Sequence, residues 1–308
     1  MQNAVLITGA NSGIGRESAR QLAVHGNYSA IYLACRNRVK AQRARSELQA
    51  LTGYTRFITV DFDAANPESA QRLVQALDNP LHGVLLNAGG TGGNMPFQRT
   101  DTGMTRIFAD NIGGHAALLA ALIDSGALLN TGVLAGSEAA RGVPALRIPR
   151  PAFQQHSVDE YAAVIDGSFF EGRTRNPLHA YAYVKFLGAA WMAASARRHP
   201  NLRLLTMSPG NTSGTGALDH SGLLARTLGA RFVFPYVAPL FGLAHPLRAG
   251  GERMVKALTN PELKTGLFYA SHAKTLTGPV TNQEYIYPAL GNLRYQDHAL
   301  QAVEQFLA

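Results

Sequence analysis

Tyr181 and Lys185 stand four residues apart in "LHAYAYVKFLGAAWMAASARRHP", a run of small residues with helical spacing. Residues four apart share a helix face, so the phenol and the amine line up. Tyr183, two positions on from Tyr181, points about 200° around the helix and reads as packing or a cavity wall. A free phenol has a pKa of about 10, too high for an efficient base near neutrality. A neighbouring ammonium stabilises the phenolate and moves the group toward the working range of general acid–base catalysis. Taken alone, a Tyr-x-x-x-Lys spacing reads as a surface pair. What precedes it in the chain changes that reading.

"LITGANSGIGRESA" carries Gly9, Gly13 and Gly15 between an apolar strand and a helix. Glycine serves where backbone bends tightly and must approach a pyrophosphate with no Cβ in the way. The following helix offers free N–H groups and the positive end of its dipole. In this strand–turn–helix setting the pattern predicts a dinucleotide site. The second strand ends "YLACRNRVKAQR", with Cys35 where an NAD-type site would place a carboxylate, and Arg36 next. A carboxylate repels a 2′-phosphate, whereas a guanidinium binds one bidentately. The sequence therefore predicts NADP(H), with Arg36 the main phosphate contact and Arg38 or Lys40 assisting. Arg43 and Arg45 read as a solvated helix face.

The elements that must position these groups are legible as an alternation. Apolar runs at 4–8, 30–34, 57–60, 83–87, 129–135 and 202–207 are separated by helical patterns at 14–25, 39–51, 67–77, 103–125 and 178–199. Regular βαβ alternation predicts a parallel sheet, and right-handed crossovers make it doubly wound. A late strand at 266–270 and a last helix at 296–307 complete one α/β domain over residues 1–308. Residues 141–177 form a long connection before the Tyr181 helix, and 213–247 a Gly-, Pro-, Leu- and Phe-rich segment after the sixth strand. Both begin where an open α/β sheet binds its ligands, so they read as a substrate-side insertion and a lid. Phe153, Tyr161, Phe169 and Phe170 in the first, with Phe232, Phe234, Tyr236 and Phe241 in the second, either wall an apolar substrate pocket or pack the segments down.

The T-G-x-x-x-G-x-G spacing resembles the short-chain dehydrogenase/reductase family, and further landmarks fall in that family's order. They are "LLNAGG" (85–90), "DNIGGH" around Asn111, "VLAGSEA" with Ser137, "YAYVK", and "MSPGNTSG" after the sixth strand. The likeness covers about residues 3 to 213 well and the rest loosely. It implies a Rossmann sheet with Tyr181 as the proton donor and acceptor, and Lys185 holding the nicotinamide ribose. Ser137 would bond the substrate oxygen and Asn111 would support a water-linked proton path. It further implies cofactor contacts from Gly9, Asn11, Ser12, Gly13, Ile14, Gly15, Asn87, Ala88, Gly89, Pro209, Gly210 and Thr212. Asp61 resembles the family's adenine contact, with a cap or turn role as its alternative, and His115 reads as packing. "VIDGSFFEGR", "ACRNRVKAQRA" and "AGGERMVKALTNPELKTGLFYAS" are similar to the retinol dehydrogenase and light-dependent protochlorophyllide reductase branch. The expected activity is hydride transfer between NADP(H) and an apolar carbonyl or alcohol. Alkene reduction of the protochlorophyllide type, and NADP(H) sensing without turnover, are the alternatives. Family habit implies a homodimer or homotetramer through the long helices, unless the late apolar segment replaces that contact.

Bulk properties bound the rest. Across 308 residues, 46% are hydrophobic and 16% charged, which describes a globular chain. The net charge of +8 comes without a long basic block, so no nucleic-acid partner is expected. One cysteine, Cys35, excludes an internal disulfide and a cysteine-built metal site, and no metal is expected. The longest apolar stretch, 230–247, holds three prolines, an arginine and a histidine, which argues against a membrane span. With no signal-peptide pattern at the start, the expected setting is cytoplasmic.

Overall fold

In the computed structural model, which describes residues 4–25, 28–212 and 244–307, the apolar runs build one eight-stranded sheet. Its strands are β1 (Ala4–Thr8), β2 (Ala30–Cys35), β3 (Phe57–Asp61), β4 (Leu81–Leu86), β5 (Leu128–Ala135), β6 (Arg203–Met207), β7 (Phe268–Ser271) and β8 (Val280–Asn282). They lie in the order β3-β2-β1-β4-β5-β6-β7-β8, all parallel except β8, which pairs antiparallel with β7. β1 and β2 are buried along their whole length, as expected of strands covered on both faces. The chain winds outward in one direction from β1 and in the other from β4. The crevice beyond the carboxyl ends of β1 and β4 is therefore the switch point where such sheets bind ligands.

Helices α1 (Gly13–His25), α2 (Arg38–Thr52), α3 (Glu68–Gln75), α4 (Arg106–Asp124), α5 (Val158–Asp166), α6 (Pro177–Arg198), α7 (Leu247–Thr259) and α8 (Leu293–Glu304) cover the two faces. Leu22 of α1, Leu48 of α2 and Met254 of α7 pack with Val5, Ile7 and Leu33 on one side. α3, α4, α6 and α8 pack on the other. α6 starts where Asn176 accepts from the Leu178 N–H at 2.9 Å and Pro177 takes the first turn. From Val184 to Ala196 every residue of α6 is buried, so its small-residue run is that of a core helix. α4 is the one described helix long and apolar enough to cross a bilayer, and 67% of that apolar window is buried inside the fold. Its Ala109–Gly113 segment is π-helical, which breaks the regular helix expected over 103–125.

The insertion before α6 carries α5 and short 3-10 turns. Thr105, at the head of α4, donates from both its N–H and its hydroxyl to the Ile165 carbonyl and docks the end of α5 there. Phe153 stacks among Tyr161, Phe169, Tyr183 and Phe186 at ring separations of 5.0 to 5.8 Å. These aromatics pack the insertion onto α6, as does Tyr183. Phe232, Phe234, Tyr236, Phe241 and the lid reading for 213–243 lie outside the described residues. Two described elements had no clear sequence signal. The Gly250–Gly251 pair interrupts the apolar stripe of α7, and β8 is three half-buried residues long.

Gly114 shows how closely α4 approaches its neighbours. A Cβ there would lie 2.3 Å from the Ala64 Cα and carbonyl oxygen. Gly114→Ala is expected to lower the thermal midpoint. The overpacking cost of about 1–3 kcal/mol exceeds the roughly 1 kcal/mol of helix propensity that alanine adds. An unchanged or higher midpoint in a calorimetric melt would contradict this contact.

Candidate active site

At the carboxyl end of β1 the chain turns at Gly9 (φ 66°) and Gly13 (φ 53°), conformations that suit glycine. A Cβ on Gly15 would sit 2.6 Å from both the Gly9 carbonyl oxygen and the Asn87 side-chain nitrogen. The turn, the start of α1 and the end of β4 thus close on one another. Asn11 and Ser12 are left at the surface of the turn, while Ile14 is buried. α1 has no acidic residue in its first turn, so nothing there offsets the positive end of its dipole. This is a backbone cradle suited to a pyrophosphate.

Thr8 locks the cradle to β4. Its hydroxyl accepts the N–H groups of Asn87 (2.8 Å) and Ala88 (2.9 Å), and the Asn87 side chain donates back to the Thr8 carbonyl at 3.0 Å. The same hydroxyl lies 3.0 Å from His115 Nε2, and His115 Nδ1 lies 2.9 Å from the Asn111 carbonyl. A neutral ring protonated on Nδ1 satisfies both contacts: it donates to Asn111 and accepts from Thr8. Burial holds this histidine neutral, its pKa lowered to about 3. Asn111 lies in the π-helical turn, and its side-chain amide donates to the carbonyls of Gly90 and Ile107, each at 2.7 Å. A Cβ on Gly89 would fall 2.5 Å from the Asn111 side-chain oxygen. Spacing had left His115 as packing. The i,i+4 relation of Asn111 to His115 was the available signal, but their shared carbonyl appears only when the helix is built.

Cys35 ends β2 as a buried thiol at which the Ala10 and Asn11 N–H groups point. Burial pushes its pKa up to about 11. Arg36 follows, exposed. The Arg38 guanidinium, expected as an assisting cation, instead donates to Asp61 from Nε at 2.5 Å. Asp61 takes this ion pair at the end of β3 and caps no helix. Lys40 remains exposed. The next helix, α2, is capped by Asn37, which accepts from the Lys40 N–H.

The third group of residues lies where α6 crosses β5. Lys185 is 5% exposed, and its Nζ donates to the Ala135 carbonyl at 2.7 Å. The same Nζ lies 5.3 Å from the centre of the half-buried Tyr181 ring. Ser137 follows β5 and is hydrogen-bonded to the Tyr181 hydroxyl. Burial pushes the phenol up to about 12, against the lowering effect of the Ser137 bond, while the Glu138 charge adds to the rise. Burial also brings the Lys185 amine down to about 7. Across the crevice, Gly210 (φ 78°) turns the chain after β6. Its N–H donates to the Ser208 hydroxyl, and Thr212 Oγ1 donates to the Gly210 carbonyl. His245 Nε2 lies 2.8 Å from the Pro209 carbonyl and braces the turn from the other side.

The expected residues thus lie along the carboxyl edge of the sheet: the glycine turn after β1, Asn87–Gly89 after β4, Ser137 after β5 with Tyr181 and Lys185 of α6 beside that strand end, and Pro209–Thr212 after β6. Comparison with known proteins places this arrangement. Residues 3–145 match the family model for short chain dehydrogenase. The first half of the chain is thus similar to the short chain dehydrogenases. A curated relative, retinol dehydrogenase 12 of Mus musculus, is 34% identical over 123 residues, 39% of this chain and 38% of that protein. The match thus spans well under half of the relative. Among solved structures, salutaridine reductase from Papaver somniferum superposes with a TM-score of 0.63 at 16% identity, covering 88% of this chain and all of that one. An alcohol dehydrogenase from Thermococcus sibiricus, complexed with 5-hydroxy-NADP, gives 0.58 at 18% identity over 86% of this chain and 94% of that one. At these identities the structural likeness concerns the fold.

The buried amine makes stability depend on pH. A lysine whose pKa falls on folding leaves the unfolded chain holding more protons between about 7 and the ordinary value. Its cost to the fold is therefore largest below pH 7 and fades as pH rises from there. Lys185→Met is expected to melt higher than the wild type at pH 6, with a smaller gap at pH 9. A gap that does not vary with pH in parallel thermal melts would contradict the buried-amine assignment.

Proposed function

We propose that the chain is an NADP(H)-dependent oxidoreductase that interconverts an apolar carbonyl compound and its alcohol, with Tyr181 as the general acid and base. One observation carries this reading. A buried Lys185 amine, a Tyr181 phenol and a Ser137 hydroxyl meet at the carboxyl end of β5, on the same sheet edge as the glycine turn that follows β1. The residues present fit that cofactor. The Gly9–Gly15 turn leaves no room for a Cβ at its closest approach to β4, and β2 ends in a thiol and an arginine where a 2′-hydroxyl site would carry an acid. Arg36 is the exposed guanidinium next to that point, while Arg38 is engaged by Asp61.

When bound, the dinucleotide supplies or takes up the hydride. The chain supplies everything else. Ser137 donates to the substrate oxygen and stabilises the charge that grows on it. Tyr181 gives that oxygen a proton in the reductive direction and takes one in the oxidative direction. A protonated Lys185 nearby stabilises the phenolate, which draws the hydroxyl down from the value burial alone sets. Ribose hydroxyls are natural second acceptors for its Nζ, which has one acceptor, Ala135, among the described residues. Asn111, tied to Gly90 and His115, holds the helix backbone beside this lysine for a water-linked proton path.

The substrate class rests on one support: the curated relatives include retinol dehydrogenases, whose name denotes an apolar alcohol. α6 is covered within one chain by α8 and the insertion, so subunits would have to associate through some other surface.

Tyr181→Phe is expected to lower kcat by at least about a hundredfold, the usual contribution of a placed acid–base group, with NADPH binding retained. An NADPH-oxidation screen over ketones, aldehydes and quinones measures it. A variant that matches the wild type on every substrate turned over would overturn the role of Tyr181. Arg36→Ala is expected to weaken NADPH much more than NADH in equilibrium titrations. Equal losses for both would remove Arg36 as the phosphate contact.

A further inference from the structure

The residue after Ser137 has no part in the chemistry above. Glu138 is 4% exposed and is the one buried carboxylate among the described residues. One of its oxygens accepts the Ser208 hydroxyl at 2.6 Å, and the other accepts the Ser271 backbone N–H at 3.0 Å. Arg253 of α7 brings its Nη1 to 3.7 Å of Glu138, with its side chain only 10% exposed. Its Nη2 donates to the Ser271 hydroxyl (3.0 Å) and the Gly278 carbonyl (2.6 Å). One short turn beyond Glu138, the buried Arg141 donates to the carbonyls of Ser271, His272, Ala273 and Thr275. The carboxylate is thus the centre of a cluster that joins the carboxyl ends of β5, β6 and β7.

Two features make this more than packing. Burying an ion pair is costly, and an apolar group of the same volume often serves stability as well or better, so the pair is weak evidence of a purely stabilising role. The cluster also reaches both walls of the crevice. The Ser208 hydroxyl that donates to Glu138 accepts the N–H of Gly210 at 3.0 Å. A Cβ on Gly210 would meet Arg253 Nη1 at 2.5 Å, which puts the cation directly under that turn. On the other wall, Glu138 is peptide-bonded to Ser137, whose hydroxyl meets Tyr181.

We propose that Glu138 is a positioning residue. Through Ser208 it fixes the Pro209–Gly210 turn, through its own backbone it fixes Ser137, and so it sets the distance between the nicotinamide wall of the crevice and the Tyr181–Ser137 pair. The proposal rests on the reading that this crevice binds NADP(H). Its charge has a second consequence. The groups that face it are Arg253, Arg141, His245 and Tyr181, and toward Tyr181 its sign opposes formation of the phenolate.

The test uses Glu138→Gln, which keeps the shape and removes the charge, and Ser208→Ala, which removes one hydroxyl and leaves the ion pair. NADPH affinity is read by fluorescence titration without turnover, and kcat and KM are followed against pH. Glu138→Gln is expected to weaken NADPH roughly tenfold, in line with loss of one charge-assisted hydrogen bond. It is also expected to move the alkaline limb of the reductive kcat to lower pH. Ser208→Ala is expected to weaken NADPH severalfold, with the limb in place. If Glu138→Gln does not fold, Ser208→Ala decides. NADPH affinity equal to wild type in Ser208→Ala, or in a folded Glu138→Gln whose pH limb has not moved, overturns the proposal while leaving the oxidoreductase reading intact. A wild type that binds no NADPH overturns the cofactor reading and this proposal with it.

Discussion

A lysine amine inside the fold, donating to the carbonyl at the end of β5, is the contact on which the site depends. The Lys185–Ala135 bond fixes where α6 crosses the sheet, and with it where the Tyr181 ring stands one turn earlier. An ammonium in so dry a place is poorly solvated, so the amine is held near neutrality, at about 7. The fold tolerates that cost because α6 is otherwise made of residues that pack closely. A Cβ on Gly188 would lie 2.2 Å from Ile112, next to Asn111 in the π-helical turn. A slimmer helix at Gly188 lets α6 lie directly against the asparagine-bearing helix.

The other half of the crevice follows the same economy of polar groups. Thr8 takes two backbone N–H groups from the end of β4, and His115 joins that hydroxyl to the carbonyl of Asn111. A single chain of bonds therefore runs from the glycine turn to the π-helical turn. Thr8, His115 and Asn111 are buried, and each would be expensive to leave unpaired. The glycine turn, the end of β4 and the π-helical turn are in this way parts of one bonded frame.

Much of this could be read before the fold was known. Parallel strands buried on both faces leave continuous apolar runs, and the glycines at 9, 13 and 15 announce a turn under tight steric limits. Tyr181 and Lys185 were legible because four residues along a helix is a geometric relation that the sequence itself states. What escaped was set by distant partners. Arg38 looked like a free cation until Asp61, 23 positions later, was seen to engage it. Glu138 carried no sequence signal, because nothing local shows that β6 and β7 close over it. β8 and α7 were missed for a different reason: one is too short and the other too rich in glycine to carry a periodic signal.

Lys185 is a buried amine poised near neutral pH beside Tyr181. An NMR titration of side-chain carbon-labelled lysine, with the Lys185 resonance assigned by its loss in Lys185→Met, tests it most directly. The expected result is one lysine titrating near pH 7 in the free protein, well apart from the others. Titration of Lys185 together with the exposed lysines, near the usual value of about 10.4, would contradict the account.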